Sequence, residues 1–203
     1  MVEYSTFRMC GPVPGKFVYA TLMRDPIDQF VSWAVRFEGA KVNKAWQKAI
    51  HSYENGSERE LRKFLRKKRD AEVKAHGGYF PHRVHSITNT FGATLKDSHT
   101  TRYNIAIKNL IKFNFVWLFE NFSEEVGLTA EKYLNWKKGK SYTKNLGKGG
   151  GQYIKYEGKD SLPRGVLEIL ESHMAADIAV YRRMANFNRE RAALRKQCEE
   201  QDF

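Results

Sequence analysis

The spacing of apolar and polar positions changes at residue 24, and this change is the most informative feature of the chain. An apolar, β-rich run from Phe17 to Met23 ends on Arg24-Asp25-Pro26. The pattern predicts a buried strand and then a helix from Pro26 to about Phe37, with Asp25 as its N-cap. The apolar residues that follow have the spacing of one helix face: Ile27, Phe30, Val31, Ala34 and Phe37.

Helical periodicity continues through the middle and the end of the chain. Residues 42–53 are amphipathic, and Ser57 with Glu60 has capping-box spacing before a charged helix that we expect to run to about Ala75. Within that helix we expect Leu61, Phe64 and Leu65 to face the core. After Pro163 we expect helix to about Gln197, with these core positions: Leu167, Ile169, Leu170, Met174, Ile178 and Tyr181.

Arg24 is the first candidate for function, because it follows a predicted strand at the edge where open α/β sheets place their ligands. A guanidinium offers a rigid fork of donors that matches a phosphate, and a nearby helix N-terminus favours anions. Ser32, about two turns into the helix, is expected to place a hydroxyl near the same anion. The alternative is a surface ion pair between Arg24 and Asp25 or Asp28.

The Arg-Asp-Pro-x5-Ser pattern of Arg24 to Ser32 resembles the 3′-phosphate motif of sulfotransferases that use 3′-phosphoadenosine-5′-phosphosulfate (PAPS). The resemblance is to Golgi carbohydrate sulfotransferases similar to heparan sulfate 2-O-sulfotransferase, whose second arginine is replaced here by Gln29. It extends over about residues 17–187. Three later segments resemble the family in order: Asn89–Gly92; Ala106–Leu110 leading into Phe115–Glu120; and Asp177–Tyr181 with Phe187.

This resemblance implies an α/β, P-loop-like sulfotransferase fold in which helices flank a parallel sheet, with residues 1–203 forming a single domain. The implied reaction moves a sulfuryl group from PAPS to a carbohydrate hydroxyl, with PAPS as co-substrate and no metal. Arg24 and Ser32 are then expected to hold the 3′-phosphate. By the same resemblance, a lysine-rich loop is expected to close over PAPS through Ser141, Thr143 and Lys144; the alternative is a disordered surface linker.

The segment 79–85 carries candidate acceptor contacts, namely His82, Arg83 and His85. Two histidines three residues apart also allow a metal or base role, although no third ligand is near in sequence. The resemblance implies a polyanionic glycan acceptor and the Golgi lumen or membrane. Nucleic acid is the less favoured partner, and any membrane anchor is expected in a longer natural chain.

Family members carry an additional strand, a lysine-containing phosphosulfate loop and a catalytic base before the Arg-Asp-Pro motif. The residues before Arg24 contain no Gly-rich Lys-Ser/Thr loop, and Glu3 falls about where the base is expected. We therefore expect a fragment, an alternative start or a degenerate copy that lacks the first strand and the phosphosulfate loop. The catalytic base stays unassigned.

The formal net charge of +12 and the pI near 9.7 favour polyanionic partners without choosing among them. Six of the eight residues from Arg62 to Arg69 are basic. This run is either a solvated helix face or a contact for a polyanion. The alternative function is accordingly a noncatalytic binding module for a glycosaminoglycan or nucleic acid.

Cys10 and Cys198 are the only cysteines, and their spacing allows either one bridge or two free thiols. No uninterrupted apolar run reaches the roughly 18 residues of a membrane span. The triplets at Asn55 and Asn121 have the form of N-glycosylation sequons, which would suit a secretory lumen.

Overall fold

The structure is a computed structural model that describes residues 19–36, 39–74, 86–94, 96–121 and 158–201. These residues form a mixed α/β arrangement that is mostly helical and contains a two-stranded parallel sheet. In chain order the elements are β1 (Ala20–Met23), α1 (Pro26–Arg36), α2 (Gly39–Glu54), α3 (Arg59–Lys74), α4 (Ser86–Thr90), α5 (His99–Leu110), β2 (Phe115–Leu118), a 3₁₀ turn (Phe119–Asn121), a second 3₁₀ turn (Lys159–Ser161), α6 (Arg164–His173) and α7 (Ala175–Gln201).

The strand and helix predicted around Arg24 are confirmed. β1 pairs with β2 in parallel, from Ala20 opposite Phe115 to Met23 opposite Leu118. α1 begins at Pro26, and its predicted face is buried at Ile27, Phe30, Val31 and Ala34. Phe37 lies outside the described residues.

The two helices predicted after α1 are present, although one boundary differs. α3 begins at Arg59, so Glu58 and not Ser57 stands at its cap position, where the Glu58 carboxylate accepts a 2.7 Å bond from the Arg62 side chain. The capping-box prediction placed the helix start too early. The inward side of α3 is as expected: Leu61, Phe64 and Leu65 are buried.

The helical segment predicted after Pro163 is two helices, with a break at Met174. Met174 has φ −106° and ψ 20°, which ends α6, and α7 starts at the next residue. The expected core positions Ile169, Leu170, Met174 and Ile178 are buried, whereas Leu167 and Tyr181 are half-buried. Apolar periodicity cannot reveal the break, because buried apolar positions continue through it from Leu170 and Met174 to Ile178.

The described apolar residues form two cores, and α7 reaches both. The first core packs α1, α2, α3 and α6 and includes Ile178 of α7. The second packs the sheet against α4 and α5 and includes Val180 and Met184 of α7. α7 therefore joins the helical layer to the sheet.

A buried carboxylate fixes three of these helices together. Asp177 of α7 is fully buried and accepts bonds from the Ile87 N–H at 3.0 Å, the Thr88 N–H at 3.2 Å and the Thr88 hydroxyl at 2.6 Å. Arg102 of α5 donates to the same hydroxyl at 2.6 Å and lies 3.7 Å from the carboxylate. Asp177 thus satisfies amides at the start of α4 and pairs with α5.

The turn that follows α4 requires a glycine and is fastened by α5. Gly92 has φ +96°, a conformation that favours glycine, and a Cβ there would lie 3.2 Å from Asn109 Nδ2. Asn109 Nδ2 donates a 2.8 Å bond to the Phe91 carbonyl. The Asn109-Leu110 pair quoted in the resemblance therefore has a structural role at the end of α5, just before β2.

We predict that Asp177→Ala lowers the free energy of unfolding by about 3–5 kcal/mol, because it removes the charge that pairs with Arg102 and the acceptor of three buried donors. Urea unfolding followed by circular dichroism measures this change. Glu190→Ala, on an exposed part of the same helix, should change the value by less than about 0.5 kcal/mol. Equal effects of the two substitutions would contradict the role of Asp177.

Candidate functional site

The carboxyl ends of β1 and β2 lie side by side and present the candidate site. Because Met23 pairs with Leu118 in a parallel ladder, the residues that follow, Arg24 and Phe119, leave the sheet at the same edge. The Arg24 guanidinium carbon lies 5.0 Å from the centre of the Phe119 ring. A cation–π contact of this kind holds the guanidinium over the ring.

Asp25 caps α1 with its own side chain, as the sequence predicted. Its Oδ1 accepts the Ile27 N–H at 3.0 Å and the Asp28 N–H at 3.2 Å. Pro26 has no N–H, and the Gln29 N–H donates to the Asp25 carbonyl at 2.9 Å. The first-turn donors of α1 are therefore occupied, so an anion at this edge must be bound by side chains rather than by free helix amides.

Lys159, from the second 3₁₀ turn, binds two carboxylates at the start of α1. Its Nζ lies 2.6 Å from Asp25 Oδ2, and its backbone N–H donates to Asp28 Oδ1 at 2.8 Å. Burial alone would lower the pKa of the Lys159 ammonium, but the hydrogen bond and charge of Asp25, with the charges of Asp28 and Asp160, outweigh burial and raise it. Lys159 is thus a protonated partner of Asp25 throughout the neutral range.

Glu120 links the sheet edge to α7. Its Oε1 accepts the Asp25 N–H at 2.9 Å, and its Oε2 accepts the Tyr181 hydroxyl at 2.7 Å. Burial, together with the hydrogen bond to Glu120 and its charge, raises the pKa of the Tyr181 phenol. The phenol is therefore a donor that stays protonated well above neutral pH.

Arg24 is the cation that this arrangement leaves available. Lys159 is neutralised by Asp25, whereas Arg24, half-buried over Phe119, has no hydrogen-bond or ion-pair partner among the described residues. The alternative from the sequence, an ion pair between Arg24 and Asp25 or Asp28, is not formed in this part of the chain. Chemically, the edge offers one uncommitted guanidinium fork on a rigid support.

No protein-family model, curated protein or solved structure matches the chain. The site residues themselves must therefore support any functional assignment. Among the described residues, no group of three or more His, Cys, Asp or Glu side chains is arranged to hold a metal ion. Within the same part of the chain, no helix combines the length and apolar character needed to cross a membrane.

Ser32 lies on α1 with its side chain turned inward, at 5% exposure. It stands six residues after Pro26, which corresponds to about 9 Å along the helix axis. Its hydroxyl is therefore not on the open surface where Arg24 sits, and a shared role with Arg24 stays a prediction.

The other predicted contacts lie outside the described residues. These are the PAPS-loop candidates Ser141, Thr143 and Lys144, the acceptor candidates His82, Arg83 and His85, and Glu3. Cys10 also lies outside them, and the Cys198 side chain is not described, so the predicted alternatives for the cysteines stay open.

Sequence reasoning missed the site role of Lys159 and gave Glu120 and Tyr181 no specific function. Lys159 lies 134 residues from Asp25 in the chain, and no periodicity or motif joins the two. For Glu120, a signal was available: it is an acidic residue two positions after a buried strand.

We predict that Tyr181→Phe lowers the free energy of unfolding at pH 7 by about 1 kcal/mol, because it removes the hydrogen bond to Glu120. Since the pKa of Tyr181 is raised in the fold, the wild type should lose this advantage as the pH rises above 10, the ordinary tyrosine value. Chemical unfolding at pH 7 and above pH 10 measures both effects.

Tyr103→Phe is the matched control, because Tyr103 is half-buried and its hydroxyl has no partner among the described residues. A pH-independent difference between the wild type and Tyr181→Phe would contradict the link to Glu120.

Proposed function

We propose that this chain is a sulfotransferase-like protein that binds PAPS at the edge formed by Arg24 and Phe119 and is related to carbohydrate O-sulfotransferases. The observation that carries the proposal is the uncommitted Arg24 guanidinium at the carboxyl end of β1, directly before an Asp-capped helix. The Arg-Asp-Pro-x5-Ser resemblance gives this arginine a ligand, the 3′-phosphate of the nucleotide. The finer sulfotransferase fold, with its larger sheet, is part of the same proposal.

Two features support phosphate binding by Arg24. The Phe119 ring supports the guanidinium, which reduces the entropy lost when two parallel hydrogen bonds to a phosphate form. The neighbouring carboxylates of Asp25, Asp28 and Glu120 accept bonds from other donors, so none of them occupies the Arg24 fork.

The same carboxylates set the expected strength of binding. Three carboxylates near one phosphate oppose its charge, and the amides of α1 are already used by Asp25. We therefore expect modest affinity that depends on the Arg24 side chain, and discrimination against nucleotides that lack a 3′-phosphate.

Sulfuryl transfer, like phosphoryl transfer, relies on positioning, charge stabilisation and a base. Tyr181 is unsuited to act as that base, because its pKa is raised and its proton is held by Glu120. Glu120 is also committed, since both of its oxygens accept hydrogen bonds. The proposal therefore concerns nucleotide binding first, and the acceptor hydroxyl and its base stay unassigned.

We predict selective binding of 3′-phosphoadenosine-5′-phosphate in isothermal titration calorimetry, with 5′-AMP at least about tenfold weaker because it lacks the group that Arg24 binds. Arg24→Ala should weaken binding of the 3′-phosphorylated nucleotide by about 10- to 100-fold and leave 5′-AMP unchanged. Thermal melting of the variant verifies that it is folded.

Arg183→Ala removes the same charge from an exposed position on α7 and serves as the matched control. Equal affinity for the two nucleotides, or unchanged affinity in Arg24→Ala, would refute the proposed site. Binding lost equally in both arginine variants would indicate a general charge effect and would also refute it.

A further inference from the structure

A second cationic region lies on α3, away from the sheet edge, and it is independent of the proposed nucleotide site. Arg62, Arg66 and Arg69 are spaced four and three residues apart, so they lie along one flank of the helix. Arg66 and Arg69 are exposed, and the Arg62 side chain is 58% exposed. Leu65, beside this flank, is fully buried in the first core.

The end of α6 faces this arginine flank. Leu170 of α6 and Met174, directly after α6, share the first core with Leu65, which brings the last turn of α6, including the half-buried His173, next to α3. Burial and the charges of Arg62, Arg69 and His99 together lower the pKa of His173. His99 is the first residue of α5. Cationic and titratable side chains from three helices therefore converge.

Nearby carboxylates balance only part of this charge. Glu58 binds Arg62 at 2.6 Å, and on α7 Arg182 lies 3.3 Å from Glu171, two residues before His173. Arg66 and Arg69 have no ion-pair partner among the described residues. Placing these like charges close together costs free energy because they repel one another. A bound multivalent anion would replace this repulsion with attraction.

We propose that these residues form a site for a compact ligand that carries several phosphate groups. We call this the basic surface: Arg62, Arg66, Arg69, His99 and His173. Arginine forks suit tetrahedral oxyanions, and several forks together suit more than one phosphate group.

Two observations favour a compact ligand over a nucleic-acid chain. Glu58 and Glu60 lie before the arginine flank on α3 and Asp70 follows it, so an extended phosphate backbone would meet carboxylates at both ends. Phe64 is 8% exposed and belongs to the core, so it offers no ring on which unpaired bases could stack.

The basic surface gains charge as the pH falls. His173 adds positive charge when it is protonated, and its pKa lies below the ordinary value of 6.5 because burial and the adjacent cations oppose its protonation. A bound anion favours the protonated form, so binding and protonation of His173 reinforce each other. Affinity should therefore be higher at pH 5.5 than at pH 8.

Calorimetric titration with inorganic tripolyphosphate at constant ionic strength tests this site. Arg69→Ala should weaken binding about tenfold, because it removes one charge-assisted fork. Lys67→Ala is the matched control: it removes an exposed charge from the same helix on a different side, and it should change affinity less than about twofold. Both substitutions are at exposed positions, and unchanged melting temperatures would verify folding.

His173→Gln tests the pH dependence, because comparison with the wild type at each pH cancels the titration of tripolyphosphate itself. The variant should bind more weakly than the wild type at pH 5.5 and equally well at pH 8. Equal losses in Arg69→Ala and Lys67→Ala would overturn the proposal. Absence of tripolyphosphate binding would also overturn it. This holds even if a single-stranded RNA oligonucleotide or a heparin oligosaccharide binds instead.

Discussion

The buried Asp177 carboxylate is the constraint on which the rest of the structure depends. An ionised carboxylate in a core is costly unless charge and hydrogen bonds compensate it. Burial raises the pKa of Asp177, while the Thr88 hydroxyl, Arg102 and the amides of Thr88 and Ile87 oppose that rise. Since compensation needs all of these groups at bonding distance, α4 and α5 are held at one position against α7.

The position of α7 in turn determines the sheet edge. Tyr181 lies four residues after Asp177, one helical turn further along, and Asn188 donates a 2.8 Å bond to the Val116 carbonyl of β2. Tyr181 then binds Glu120, and Glu120 binds the backbone directly after Arg24. One turn of α7 and the two hydrogen bonds of Glu120 thus connect Asp177 to the candidate site.

Local signals predicted the local structure well. The Pro26 helix with its Asp25 cap and the buried side of α3 both follow from residues close together in the chain. Lys159 and Asp177 were not predictable in this way, because their partners lie 134 and about 90 residues away. Asp177 still left a trace in the sequence, as an acidic residue within an apolar helical pattern. The break at Met174 left none, because Met174 is itself one of the buried apolar positions that continue the helical pattern.

At the sheet edge, one arginine lies near three carboxylates and pairs with none of them. Asp25 is held by the amides of α1 and by Lys159, and Asp28 accepts the Lys159 N–H. Glu120 is held by Tyr181 and the Asp25 N–H. Each carboxylate is therefore fixed by a different donor, and Phe119 keeps the guanidinium above its ring. The acidic neighbours therefore do not neutralise Arg24. Because their oxygens accept hydrogen bonds from other groups, the donors of Arg24 stay available, which is the property that a phosphate-binding arginine requires.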